Sequence, residues 1–170
     1  MTVTTQEREG PAAQRLLHDD LLATYLTAPD RLREAVAGLA DAELAATPPG
    51  GGRSLLQLVV HLADTELHAL ARIRRIIAEP GTRIEPYDSE RWVQSLAPVT
   101  PVDAAIDLFA ALRRAGAAVF RAATPEQRAR TCFHPDRGNV SLDELLQLQA
   151  LHAEQHIGQM REMRERLGAW

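Results

Sequence analysis

The run Ser141-Leu142-Asp143-Glu144-Leu145-Leu146-Gln147-Leu148-Gln149-Ala150-Leu151-His152-Ala153-Glu154-Gln155-His156-Ile157 reads as the opening and middle of a long helix. Ser141 and Glu144 have the S-x-x-E form of a capping box, in which each side chain satisfies a backbone N–H left free at a helix start. Leu142, Leu145, Leu146, Ala153, Ile157, Met160, Met163 and Leu167 then recur at helical spacing and form one apolar face. Asp143, Glu144, Glu154, Arg161, Glu162 and Glu165 take the opposite side. The pattern runs to about Leu167, with Gly168 as its stop. A helix apolar on one face buries that face against other elements, and the rest of the chain supplies helices.

Working outward, Ser54 and Gln57 form a second capping box, and a helix is predicted from there to about Ala78. Glu79-Pro80-Gly81 halts it. Upstream, Leu16, Leu17, Leu21, Leu22, Tyr25 and Leu26 have helical spacing up to Pro29-Asp30, and Leu32, Val36 and Leu39 resume it, as one kinked helix or two. Thr47-Pro48-Pro49-Gly50-Gly51-Gly52 breaks the chain. Val102, Ala105, Ile106, Phe109, Leu112, Val119 and Phe120 outline a third long helix after that of Ser54. Thr124, with Pro125 at the first helical position, starts a short one. The stretch from Glu79 to Pro101 is a long irregular connection with a helical turn at Ser89 to Gln94, and Phe133 to Asn139 reads as loop or turn. No longer strand signal and no internal repeat is present. The expectation is an all-α protein, a four-helix bundle with a long connection between its second and third main helices. Residues 1–12 read as a frayed tail and residues 13–170 as a single domain.

The chain has 170 residues, 45% of them apolar and 4% aromatic, enough for a proper core and weighted toward helix. A formal charge of −4, without a basic stripe interleaved with aromatics, argues against nucleic acid as a partner. A single cysteine, Cys132, excludes an intramolecular disulfide and a cysteine-based zinc site. The polar start carries no apolar run of a secretory signal, and no stretch approaches the ~20 apolar residues of a membrane span. The expected location is cytoplasmic, with no membrane association.

His152 and His156 stand four residues apart, so both imidazoles project from the same side of the last helix. The wheel sets them within or at the edge of its apolar face, toward the bundle interior. Buried imidazoles need partners, and two explanations compete: hydrogen bonds to neighbours, or a shared metal ion. A third ligand is available in His61. On its helix, Gln57, His61, Asp64, Thr65, His68, Arg72 and Arg75 form one polar stripe, facing either solvent or a polar bundle centre. Three imidazoles suit zinc, nickel, iron or copper, and three protein ligands leave a coordination position open for chemistry.

At these residues the chain resembles the DinB/YfiT-like superfamily of helical bundles, and within it the YfiT-type metal-dependent hydrolases and bacillithiol transferases. The resemblance is carried by His61-Leu62-Ala63-Asp64, by Ile84-Glu85-Pro86-Tyr87-Asp88-Ser89-Glu90-Arg91-Trp92, by Phe133-His134-Pro135-Asp136-Arg137-Gly138 and by His152-Ala153-Glu154-Gln155-His156-Ile157, in that order. It implies one metal held by His61, His152 and His156, and a homodimer. Leu151 and Gln155 depart from the family's common residues at positions that bear on substrate and thiol choice.

The chemistry expected of such a site is the transfer of a low-molecular-weight thiol to an electrophilic small molecule, with hydrolysis of an ester or amide as the alternative. A third possibility is a non-catalytic, stress-related metal- or ligand-binding bundle. Asp64, at i+3 from His61, is a candidate general base or orienter of an imidazole, and Gln149, at i−3 from His152, a second orienter. Arg72 is placed to receive a carboxylate, and His134 and Tyr87 are candidate substrate contacts at the cavity mouth. Tyr87 and Trp92 could also form a lid over the bundle.

Overall fold

Capping chemistry sets where the helices begin. In the computed structural model, which describes residues 11–79, 81–83, 85–134 and 137–166, Ser54 opens helix α3 (Leu55–Ala78). Its Oγ accepts from the Gln57 N–H at 3.2 Å while its own N–H donates to Gln57 Oε1 at 2.9 Å. Ser141 and Glu144 make the same reciprocal pair, at 3.2 and 2.7 Å, at the start of the last helix, α7 (Leu142–Arg166). Both boxes read from the sequence are present. The expected end of α7 at Leu167 and Gly168 lies outside the described residues, as do residues 1–10 of the expected tail.

The first helix, α1, runs unbroken from Pro11 to Val36 with Pro29 inside it. A proline at this position removes the N–H that would bond the carbonyl four residues earlier, that of Tyr25. Here that carbonyl accepts instead from Arg113 Nη1 at 3.0 Å. The structure thus settles the choice between one helix and two, through a residue far away in the chain. A one-turn helix, α2 (Asp41–Ala45), follows and buries Leu44; the sequence reading has no counterpart for it.

The connection after α3 carries α4 (Ser89–Leu96), capped by Asp88, and a 3₁₀ turn at Ala97–Val99. Helix α4 is a little longer than the expected turn and lies against α3. Helix α5 (Val102–Ala122) and the short α6 (Pro125–Arg128), with Thr124 as its cap, complete the helices before the C-terminal one. Of the four long helices, α3 packs on α5 and α7, and α1 packs on the same two.

The segment read as a loop around Phe133 corrects the all-helical picture in one detail. It folds as a hairpin, β1 (Thr131–His134) against β2 (Gly138–Ser141), with Cys132 opposite Val140 and His134 opposite Gly138. Both Cys132 and Val140 are buried. Strands of four residues give too short an alternation to recognise, and tertiary contacts help hold this pair in place. The Phe133 N–H donates to the Thr82 carbonyl at 3.0 Å, tying β1 to the connection after α3. Gly138 supplies the positive φ, +73°, that the turn requires.

The core falls into two apolar clusters. One gathers Leu32, Leu58, Leu62, Ile106, Phe109, Ile157 and Met160; the other gathers Leu22, Ile73, Ile76, Phe120, Leu145 and Leu146. Where they meet lies a polar layer containing Glu66, Arg113 and Gln149, with the Tyr25 hydroxyl pointing into it. Glu66 and Arg113 are each 1% exposed.

Candidate metal centre

Because α3 and α7 are neighbours, His61 meets the pair His152 and His156. The Nε2 atoms of His61 and His152 are 3.4 Å apart, and those of His152 and His156 are 3.1 Å apart. One ligand atom from each of the three rings lies within 4.8 Å of the others. The rings meet edge to face, with interplanar angles of 74°, 86° and 89°. His61 is buried at 7% exposure, with α7 on one side of it.

The donor set fits a divalent ion. Zinc at ~2.05 Å from each of two nitrogens in a tetrahedron separates them by ~3.3 Å, close to both of the nitrogen contacts quoted. Without an ion, His152 Nε2, with one proton or one lone pair, satisfies only one of its two imidazole neighbours, and His61 Nδ1 is buried with no hydrogen-bond partner among the described residues. The rings are held neutral. Burial, then the positive Arg53 and the other two imidazoles, push the His61 pKa down to about 3. Burial, His156, Arg113 and Arg53 push that of His152 down to about 4. Burial also lowers His156, opposed by its hydrogen bond to Gln159. Neutral imidazole is the metal-binding form.

The remaining residues expected at the site take varied positions. Asp64 is buried at 7% exposure; burial raises its pKa, and its Oδ2 makes no hydrogen bond among the described residues. Gln149 contributes its backbone carbonyl to Arg113 at 2.7 Å, and its amide makes no hydrogen bond to His152 among the described residues. Tyr87 donates to or accepts from Thr65 Oγ1 at 2.9 Å and stacks on His68 with ring centroids 3.8 Å apart. Trp92 meets both rings edge-on. The connection after α3 is therefore laid over the polar stripe of α3. That stripe is neither a solvated face nor the lining of an open centre: His61 and Asp64 are buried, Thr65, His68 and Arg72 half-buried, and only Arg75 is exposed. Arg72 Nη2 donates to the Glu85 carbonyl at 3.4 Å and has no carboxylate partner among the described residues. His134 sits at the hairpin end, outside the cluster of three imidazoles.

Three contributors escaped the sequence reading. Gln159 Oε1 lies 3.2 Å from His156 Nδ1, so it accepts the Nδ1–H and leaves Nε2 free to bind. Its i+3 spacing from His156 was the available signal. Arg53 is held by Glu90, at 3.0 Å to Nη2 and 3.3 Å to Nε, and its charge acts on all three imidazoles. Arg113, buried in the polar layer, touches the backbone of α7 one turn before His152.

The sequence model of the DinB superfamily matches residues 24–160. Two curated relatives bear the name "Putative metal-dependent hydrolase". One, from Oceanobacillus iheyensis, is 27% identical over 138 residues, covering 81% of this chain and 80% of its own. The other, YfiT of Bacillus subtilis, is 29% identical over 142 residues, covering 82% and 80%. The solved structure of Bacillus subtilis YfiT, a four-helix bundle of unusual topology, superposes with a TM-score of 0.86 at 25% identity, over 96% of this chain and 92% of that one. The mycothiol-dependent maleylpyruvate isomerase shares the fold, with a TM-score of 0.68 at 12% identity over 83% of this chain and 59% of its own.

Proposed function

This chain belongs to the DinB superfamily, and we propose that it is a metal-dependent enzyme that joins a low-molecular-weight thiol to an electrophilic small molecule. The observation that carries the reading is the convergence of His61, His152 and His156, three neutral imidazoles whose ligand atoms lie within 4.8 Å. They would hold one divalent ion, zinc or nickel before iron or copper. An ion so held supplies Lewis acidity, which lowers the pKa of a thiol or water bound to it.

The chain's own residues do the rest. Asp64, three residues after His61 on α3 and buried, with an oxygen that makes no hydrogen bond among the described residues, accepts the proton that the nucleophile gives up. Tyr87, His68 and Trp92 keep bulk water from the stripe on α3. Arg72, without a carboxylate partner among the described residues, receives an anionic group of the thiol or substrate, and His134 contributes from the hairpin. The names of the relatives support the metal dependence in this reading, and a mycothiol-dependent enzyme with the same fold supports its thiol, without fixing the substrate. Hydrolysis of an ester or amide is the second reading, supported by Asp64 as a base for a water and by those names. The proposed unit is a homodimer. No helix among the described residues is long and apolar enough to cross a membrane.

The test is metal content, by elemental mass spectrometry, of protein purified without a metal-affinity column. Wild type is expected to carry close to one equivalent, lost in His61→Ala, His152→Ala and His156→Ala. Thiol-dependent consumption of a model electrophile by the loaded wild type supports transfer, and thiol-independent ester cleavage supports hydrolysis. No metal uptake after reconstitution sinks both.

A further inference from the structure

The most heavily built polar feature outside the three histidines is the layer that divides the core. Arg113 of α5 donates from Nε to Glu66 Oε2 of α3 at 2.8 Å, from Nη1 to the Tyr25 carbonyl of α1 at 3.0 Å, and from Nη2 to the Gln149 carbonyl of α7 at 2.7 Å. The Tyr25 hydroxyl donates to the other Glu66 oxygen. The guanidinium lies over the rings of Tyr25 and Phe109, 4.0 and 4.7 Å from their centroids. One side chain thus binds all four long helices.

Stability alone does not account for it. Removing two charges from water costs about what their attraction returns, and apolar replacements of such clusters are often neutral or stabilising. What the cluster adds is direction. Leucine and isoleucine contacts tolerate small rotations and slides of one helix on another; a planar guanidinium with three acceptors at fixed angles does not.

The placement gives that rigidity a purpose. Glu66 lies five residues after His61 on α3, and Gln149 three before His152 on α7. At 1.5 Å of rise per residue these are ~7.5 Å and ~4.5 Å along the two helix axes. Arg113 therefore ties α3 and α7 together about one turn away from their ligands, on the two helices whose relative register decides whether three nitrogens converge. Metal sites tolerate only ~0.2 Å of error in ligand distance.

We propose that Arg113, acting through Glu66 and the Gln149 carbonyl, is a positioning residue that sets the register of α3 against α7 and so prearranges the three-histidine site. The inference rests on the metal reading of that site. It assigns Arg113 no contact with substrate.

The test replaces the cluster with apolar groups without leaving orphans: Tyr25→Phe, Glu66→Leu and Arg113→Met, with Pro29→Ala to return a donor to the Tyr25 carbonyl. Zinc affinity is measured by competition with a chromophoric chelator, and the visible spectrum of the cobalt-loaded protein reports ligand geometry. The expected result is a folded protein with thermal stability near wild type, at least tenfold weaker zinc binding and a changed cobalt spectrum. A folded variant with wild-type zinc affinity and an unchanged spectrum would falsify the proposal. Should the fourfold variant not fold, Arg113→Lys serves: the ammonium keeps a charge for Glu66 but cannot hold three acceptors in the same plane. Wild-type affinity and spectrum in that variant overturn the proposal equally. A wild type that takes up no metal overturns the reading of the site itself, and this inference with it.

Discussion

Pro29 and Arg113 are linked through one carbonyl. The proline ring deprives the Tyr25 oxygen of its helical donor, and Arg113 Nη1, from the neighbouring helix α5, supplies a donor at 3.0 Å. The two residues therefore act on stability together. Arg113→Ala is expected to cost ~3–5 kcal/mol, because Glu66 is left charged and buried. Adding Pro29→Ala should recover ~1 kcal/mol beyond the intrinsic helix gain, the worth of the restored backbone hydrogen bond. Urea unfolding of the two single variants and the double one checks this. Additive effects would show that the carbonyl is not shared in the way described.

Gly116 is a second position where the layer constrains the sequence. A Cβ there would overlap the Tyr25 hydroxyl. Glycine to alanine inside a helix ordinarily gains ~1 kcal/mol. Here overpacking reverses the sign, and Gly116→Ala is expected to cost ~1–3 kcal/mol. In a Tyr25→Phe background, where the hydroxyl is gone, the cost should shrink markedly. Thermal melts of the three variants decide it, and a stabilising Gly116→Ala in wild type would refute the steric account.

The legible parts of this chain are those written locally. Two capping boxes announced α3 and α7, and the spacing of His152 and His156 announced a shared face. What the residues left open about His61 was the covering of its stripe, because a helical wheel does not say what lies on it. The cover is Tyr87 and Trp92, more than twenty residues on, in a connection without periodicity. The hairpin was hidden by its brevity and held in part by a bond to Thr82. Glu66 and Arg113 were unreadable for a different reason: charged residues in amphipathic helices belong by default to the surface, and only the fold brings these two together across 47 positions.

Laying Tyr87 on α3 has a measurable consequence. Tyr87→Ala removes the stacking on His68 and the hydrogen bond to Thr65, two of the ties between the connection and the helix. Hydrogen exchange of backbone amides in residues 82–96 is expected to quicken by ~10-fold or more, while the interior of α3 stays protected. Metal content should not change, since none of the three imidazoles is touched. Unchanged exchange would mean that α4 alone holds the connection down.

The depressed imidazole pKa values make stability depend on pH in a known direction. His61 falls to about 3 and His152 to about 4, both from 6.5, so the unfolded chain takes up protons that the folded chain refuses. This costs nothing above about pH 6.5; the loss of stability grows as pH falls, levelling off near pH 4 for His152 and near pH 3 for His61. Metal-free protein unfolded in urea at a series of pH values should therefore weaken across that window, and His61→Gln should weaken less. A parallel pH dependence in both proteins would show that His61 is not held neutral by the fold.

Gln159 offers the narrowest test of how the site is prepared. Its Oε1, 3.2 Å from His156 Nδ1, fixes the ring so that the proton sits on Nδ1 and the lone pair on Nε2, toward His152. Gln159→Leu removes the acceptor and keeps the helix. Loss of such an outer partner costs ~10–100-fold in metal affinity, and the lower end is expected here because the contact is exposed to water. Gln159→Glu retains an acceptor and adds a charge that favours the Nδ1 proton, so its affinity should match or exceed wild type. Chelator competition on the three proteins gives the order. If Gln159→Leu binds zinc as tightly as wild type, His156 is oriented by packing alone, and the hydrogen bond contributes nothing to the site.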